Sequence, residues 1–426
     1  MSNKHRVVIT GLGVVSPNGN NIQEFEAALR AGKSGIKRWE NLEKINFKGQ
    51  IGGKPEISQE YKEEHLPDFI AKKLQNHAVI YACLSGLEAW KNAGLDIAPG
   101  QYDRKTGLLI GSGALGLDSF IEHKIYPIDN GNHRKLGSRS VPESMSSGAG
   151  AYLNSILGLK GRIFSNSSAC ITGSEAILQA FEMIQSGKME RMLCGSTEGD
   201  GRYIWGGFDA MRILCSDSND NPEKGSRPMS ATSSGFVPSG GSGAMVLETL
   251  EAAQARGAHI YAEILGGDVN SGGQQGGGSM TAQNPEAVVD CIQTALSNSG
   301  IKSSEIDLIS GHLTSTKGDP YEIKNWFDAL ELSKDEFPLI NTPKSMIGHC
   351  VAGAGSIELV ACALQIANDF VHKNINLEEI HPDILEILDA EKFPTETANK
   401  ELNTVIKSNF GFGDLNCCVV LRKYKN

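Results

Sequence analysis

Apolar and polar positions along this chain alternate between a strand rhythm and a helix rhythm. The apolar run from Arg6 to Val15 ends in Ser16-Pro17-Asn18-Gly19, which predicts a buried first strand and a turn. Asn21 to Arg30 has helical spacing and closes at Ala31-Gly32. Residues 33–70 are mixed and polar and read as a surface excursion. Residues 71–94 place Leu74, Val79, Leu84, Leu87 and Trp90 in a helical pattern that stops at Gly94. A strand over Thr106–Ile110, a polar stretch over 118–140 and a helix over 144–158 follow. Ile177, Leu178, Phe181 and Ile184 mark one face of a helix ending near Gly187. Arg191–Gly195 and Phe236–Thr249 read as strands.

The second half restarts in the same style. Ile260 to Gly272 repeats the order seen from Val7 to Gly19: apolar strand, glycine turn, then Asn, Ser and Gly. A helix over Pro285–Ser299 and a strand over Ile306–Ser310 come next. The repeated order predicts an internal duplication of two α/β halves, residues 1–255 and 256–426. The glycine-rich stretch from Gly272 to Gly278 is expected to be mobile.

Composition narrows the function. The net charge of −10 argues against a general nucleic-acid binder, and an acidic partner would need a local basic patch. Nine cysteines without a CxxC pair point to a reducing, cytoplasmic setting rather than a disulfide frame or a zinc site. Ten histidines without HxxxH or HExxH spacing give no support for a metal centre. Lys4-His5-Arg6 before an apolar run superficially resembles a secretion signal. The run is short and glycine-broken, so it reads as a strand. No apolar run approaches the roughly 18 residues a membrane span needs.

Three places carry candidate chemistry. Gly111-Ser112-Gly113-Ala114-Leu115-Gly116 follows a strand and fits GxGxxG. No clear helix is read at its third glycine, and no acid ends a second strand about 20 residues on, so a dinucleotide site is not expected. Ser165 to Gly173 places Cys170 in a tight turn at a helix N-terminus, where free N–H groups and the helix dipole favour thiolate. Position alone leaves packing and nucleophilic catalysis both open for a chain with eight other cysteines. His312 ends a strand and His349 ends Asn341-Thr342-Pro343-Lys344-Ser345-Met346-Ile347-Gly348; each alone is compatible with a structural role. The glycines of Asn409 to Asn416 suit backbone N–H groups aimed into a site, as an oxyanion hole requires.

The ordered motifs VVITGLGVVSP, SSAC, HLTST, NTPKSMIGH and NFGFG span essentially the whole chain. They resemble the beta-ketoacyl-[acyl-carrier-protein] synthases, synthase II-like elongating condensing enzymes of the thiolase superfamily. The resemblance implies a thiolase-like αβαβα five-layered core from two duplicated halves, assembled as a homodimer or with a related subunit. It implies decarboxylative Claisen condensation of malonyl-carrier with an acyl chain held as a thioester on Cys170. His312 and His349 would then polarise the malonyl thioester carbonyl, with Lys344 ordering them and Glu358 as a structural acid. Backbone N–H groups of Cys170 and Phe412 would hold the oxyanion, and Thr314 and Thr316 the phosphopantetheine arm. Phe208 and Ala114 would line or gate the acyl pocket, with Phe410 and Asp414 as further substrate-binding positions. Lys72, Lys73, Arg134, Lys135 and Arg212 match positions that dock the acidic acyl carrier protein. The carrier supplies the arm, so no separate cofactor or metal is expected.

Three departures bear on substrate. Leu313 stands where the family has glycine and is expected to narrow the wall beside His312. Asp414-Leu415 replaces Gly-Thr and is expected to add charge to a mobile loop. Ala114 replaces a branched residue and suggests a deeper acyl site. Together they extend the reading from fatty acids to polyene, pigment or polyketide-like chains. A non-elongating chain-length partner and a coenzyme A-dependent thiolase stand as alternatives; Cys170 counts against the first, the histidine pair and basic patch against the second.

Overall fold

Ten strands form one sheet in a computed structural model that describes residues 4–425. They are β1 (Val7–Val15), β2 (Thr106–Ser112), β3 (Ile163–Phe164), β4 (Arg191–Glu198), β5 (Gly241–Thr249), β6 (Ala262–Ser271), β7 (Leu308–Ser310), β8 (Leu339–Asn341), β9 (Thr404–Gly411) and β10 (Leu415–Arg422). Their order is β8-β7-β9-β10-β6-β1-β5-β4-β2-β3. The seam is the antiparallel pair β1–β6, in which Val7 faces Ile264 and Ile9 faces Ala262. The two stretches whose patterns echo each other therefore lie side by side. Outward from the seam, both directions run antiparallel, antiparallel, parallel, parallel.

The two flanks fold into layers because helices cover both faces. Helices α1 (His77–Asn92) and α2 (Gly148–Leu157) close one outer face, and α4 (Pro285–Ser299) and α5 (Asp319–Leu330) the other. Between the half-sheets lie α3 (Thr172–Gln185) and α6 (Ala354–Ala367), completing the αβαβα stack. Every residue of α6 from Ala354 to Ile366 is buried, as an internal helix requires. These helices touch backbone to backbone: a Cβ on Gly173 would lie 2.4 Å from Ser356 N, and one on Gly355 2.5 Å from Ser174 N. The crossing brings the start of α3, with Cys170, against the start of α6, which carries Glu358.

Several elements differ from their sequence reading. The helix expected over 71–94 begins only at His77, because Asn76 caps it and spends its amide on the carbonyls of Leu115 and Glu143. The strand expected from Phe236 begins at Gly241, since residues 237–239 pair instead with the backbone of His349. A helix does open at the third glycine of the GxGxxG run: Leu117–Phe120, Ile121–Ile125 and Tyr126–Asp129 follow Gly116 in series. The run still offers no phosphate cradle, because the Gly113 and Ala114 N–H groups are already taken by the buried Glu198 carboxyl. Among the described residues no helix is long and apolar enough to cross a membrane.

Candidate active site

Cys170 sits in a single 3-10 turn, Ala169–Ile171, that leads directly into α3. Ala169 is held in the left-handed region at φ 50°. Thr172 fixes the turn: its hydroxyl donates to Ala169 O at 2.7 Å and accepts the Ser168 N–H at 2.9 Å. The loop after β9 arrives from the other half of the chain. A Cβ at Gly411 would stand 3.1 Å from Cys170 N, so glycine permits the approach. The Phe412 N–H then lies near enough to the Cys170 sulfur to favour its thiolate form. Desolvation pushes the thiol up to about 11, outweighing the Lys344 charge and the Phe412 N–H. That direction runs opposite to the ready thiolate expected from the helix end. The other eight cysteines are buried outright.

His312 and His349 face each other with ring centres 5.2 Å apart and planes at 85°. His349 is clamped by residues 237–239: its N–H donates to Val237 O at 2.8 Å and its carbonyl accepts Ser239 N–H at 2.9 Å. The Val351 N–H donates to His349 Nδ1 at 3.1 Å, which assigns the proton to Nε2. Asn409 Nδ2 lies 3.4 Å from His312 Nδ1 and donates to Glu358 Oε2 at 2.9 Å, assigning the same tautomer. Burial first, and Lys344 second, hold His312 well below the usual histidine range and His349 at about 3. Both rings are neutral near pH 7 and present an N–H donor.

Behind them lies a buried charge cluster. Lys344 pairs with Glu358, and Lys407 Nζ lies 2.7 Å from Glu358 Oε2. Burial by itself would raise the Glu358 carboxyl, but Lys344 and Lys407 hold it down at about 2. Aromatic side chains link the parts: Phe208 is 6.2 Å from Phe412 and 5.2 Å from Phe236, which is 5.5 Å from His349. Phe410 is buried with its ring 6.1 Å from His312. The structure thus gathers Cys170, Phe412, Phe208, His349, His312, Phe410, Lys344 and Glu358.

The neighbouring positions divide. The Thr314 and Thr316 hydroxyls are 3.0 Å apart and half-buried, and the Asp319 carboxylate holds the Thr314 and Ser315 N–H groups. Ala114 is exposed, next to a glycine that packs towards Ala352. Leu313 does not narrow the wall: at φ 26° its side chain turns into the outer core and is 1% exposed. Asp414 is not a charge on a free loop. It is fully buried, its Oδ1 accepts Asn284 N–H at 2.8 Å, its Oδ2 accepts Gln274 N–H at 2.9 Å, and its carbonyl accepts Gly272 N–H. The glycine-rich stretch expected to be mobile is therefore tied to it. Lys72, Lys73, Arg134, Lys135 and Arg212 are all exposed, with Lys72 paired to Asp68 at 2.9 Å.

Sequence reasoning missed Glu322, Asp319, Asn409 and Lys407. Glu322 accepts the His312 and Leu313 N–H groups, both at 2.7 Å, and burial raises it to about 7. The signal for the two acids was Asp319-Pro320-Tyr321-Glu322, a helix start only seven residues beyond His312.

Residues 4–253 match the family model "Beta-ketoacyl synthase, N-terminal domain" and residues 261–378 match "Beta-ketoacyl synthase, C-terminal domain". The chain is 36% identical over 426 residues to 3-oxoacyl-[acyl-carrier-protein] synthase 1 of Escherichia coli, covering 99% of this chain and 100% of that one. A beta-ketoacyl synthase crystal structure from Burkholderia phymatum superposes with a TM-score of 0.88 at 28% identity, covering 99% of this chain and 100% of that one. A ketosynthase solved with its type II polyketide acyl-carrier protein and bound to the hexaketide gives 0.87 at 29% identity, again over 99% and 100%.

Proposed function

The chain belongs to the beta-ketoacyl synthase family, and we propose that Cys170 holds the acyl chain while His312 and His349 activate malonyl-carrier. The enzyme is a beta-ketoacyl-[acyl-carrier-protein] synthase, an acyltransferase-class condensing enzyme of fatty acid or polyketide synthesis. The observation that carries the residue assignment is the convergence of the Cys170 thiol, under the Phe412 N–H, with two neutral imidazoles 5.2 Å apart.

The steps follow from that geometry. The Cys170 sulfur attacks the acyl-carrier thioester, its oxyanion held by the Cys170 and Phe412 N–H groups. The thiol proton ends on the departing pantetheine sulfur, since both histidines present a donor rather than an acceptor. Malonyl-carrier then enters with its thioester oxygen accepting both imidazole N–H groups. Loss of carbon dioxide leaves an enolate on that oxygen, and two neutral donors stabilise the developing charge without forming a salt. The enolate carbon attacks the Cys170 thioester. The tetrahedral intermediate collapses to 3-oxoacyl-carrier, and the released cysteine takes one proton from solvent. Burial and then the Lys344 charge keep the histidines neutral, while Glu358 holds the Asn409 amide that faces His312 Nδ1. The carrier brings its phosphopantetheine arm, which Thr314 and Thr316 are placed to hold.

Lys72, Lys73, Arg134, Lys135 and Arg212 form the carrier-docking set, supported by their exposure on an otherwise acidic chain. A second copy docks at the outer edge of β3, supported by exposed Phe120, Tyr126, Ile128, Val141 and Met145 nearby in the chain. Nine free cysteines support a reducing, cytoplasmic setting. The 1–255 and 256–426 halves are the units of duplication, supported by the mirrored strand senses about the seam. The acyl pocket takes unusual chains on the ground of Ala114 alone, because Leu313 and Asp414 face elsewhere. Incubation with carriers bearing short, long, saturated and polyunsaturated chains, followed by mass spectrometry of the digest, tests the assignment. Acylation at Cys170 is expected, and its absence from every carrier would refute it.

A further inference from the structure

Lys407 is a buried ionisable group that no step above uses. It lies on β9 with no exposed surface, in register with Ser310 at the end of β7. Its Nζ donates to Ser310 O and Gly311 O, each at 3.1 Å, to Ser408 O, and to Glu358 Oε2 at 2.7 Å. All four partners are acceptors, and three are backbone carbonyls. Such a ring of carbonyl oxygens is what a dehydrated monovalent cation takes in place of water. Here the cation is tethered. Lys407 shares Glu358 with Lys344 and has the buried Glu322 nearby, and the carbonyl dipoles complete the shell around its ammonium.

The cage is made from the backbone that carries the site. Ser310 and Gly311 lead directly into His312. Ser408 leads into Asn409, which faces His312 Nδ1 and bonds Glu358, and three residues on comes Phe412. We propose that Lys407 is a positioning residue, a built-in monovalent cation whose ammonium joins the ends of β7 and β9 and so places His312 and the Phe412 N–H. This rests on the condensing reaction assigned above. Without the ammonium, three carbonyls face one another around a void, while every reacting group is still present but no longer held in position.

The test uses Lys407→Ala, which opens the cage, and Lys407→Met, which refills the stem without charge. Malonyl-carrier decarboxylation and melting are followed in sodium, potassium, ammonium, methylammonium or tetramethylammonium chloride at constant ionic strength. Lys407→Ala is expected to lose about 100-fold in kcat, with KM for malonyl-carrier little changed, the cost of misplacing reacting groups by about an ångström. Potassium, ammonium or methylammonium restores most of that loss and raises the melting temperature. Tetramethylammonium does neither, and wild type and Lys407→Met do not respond. Full activity in Lys407→Ala, or a loss and a melting temperature indifferent to the cation, would overturn the proposal. If the alanine variant does not fold in sodium chloride, refolding in ammonium chloride decides: recovery supports the cage, and failure in every cation counts against it. A wild type that never decarboxylates malonyl-carrier would sink the reaction assignment, while cation-specific melting would still decide the role of Lys407.

Discussion

Asp414→Asn exchanges one carboxylate oxygen for an amide nitrogen and leaves the shape unchanged. In the wild type, Oδ1 accepts the Asn284 N–H at 2.8 Å and Oδ2 the Gln274 N–H at 2.9 Å, with no exposed surface. An amide accepts on one side only, so one backbone N–H is left facing another donor. A hydrogen bond to a charged group contributes about 1.5–3 kcal/mol, and a buried unsatisfied donor costs about 1–3 kcal/mol. The local loss is about 3 kcal/mol, which raises the population of the undocked 272–284 loop roughly 100-fold. Undocking is shared with the segment that carries Phe412, because Gly413 N–H donates to Met280 O at 2.8 Å and Gln283 Nε2 to Gly411 O at 3.1 Å. Backbone strain is not a confounder, since asparagine tolerates the left-handed φ of 63° that Asp414 adopts. Amide hydrogen exchange read by mass spectrometry is the assay. Peptides covering 272–284 and 408–416 are expected to exchange faster by about that factor, while α1, α3 and α6 keep their protection. Unchanged exchange in both peptides, or equal acceleration along the whole chain, would refute the latch.

Four further outcomes follow from the site. His312→Ala and His349→Ala each lower malonyl-carrier decarboxylation by about 100- to 1,000-fold, while acylation of Cys170 remains detectable by intact mass. The reacting imidazoles are neutral, a form lost only as pH falls through their lowered folded values, about 3 for His349. Decarboxylation is therefore flat from about pH 8 to about pH 5.5, and an acid limb centred near about 6.5 would contradict the assignment. For stability the same shift acts at higher pH: below about pH 6.5 the unfolded imidazoles bind protons that the folded ones do not, so denaturant midpoints fall as pH falls. Alkylation of Cys170 by iodoacetamide needs thiolate, and with the thiol pushed up to about 11 its rate keeps rising through pH 9. A plateau near neutral pH would show that the Phe412 N–H and the helix end outweigh burial.

Features set by local pattern were legible in the sequence. The turn into α3 at Cys170 follows from small polar residues before a helical stripe, and the β1–β6 seam from two similar apolar runs. Features set by distant contacts were not. Asp319 and Glu322 look like ordinary first-turn acids of α5. Only the left-handed residues Leu313 and Ser315 fold the preceding backbone over their carboxylates. Lys407 reads as the polar position of an alternating strand, yet both faces of β9 are covered. Asp414 finds its partner Asn284 130 positions away. The thiolate expectation for Cys170 counted the helix end, which is local, and missed desolvation, which only the folded surroundings create.

A single-turnover experiment tests the central claim most directly. The enzyme is first acylated at Cys170 and freed of carrier, then mixed with isotopically labelled malonyl-carrier, and the Cys170 acyl group, carbon dioxide and carrier product are followed together. Acyl loss, carbon dioxide release and a 3-oxoacyl product two carbons longer are expected to appear at one rate and in equal amounts. Carbon dioxide release with the acyl group still on Cys170, or acyl loss without chain extension, would contradict the account.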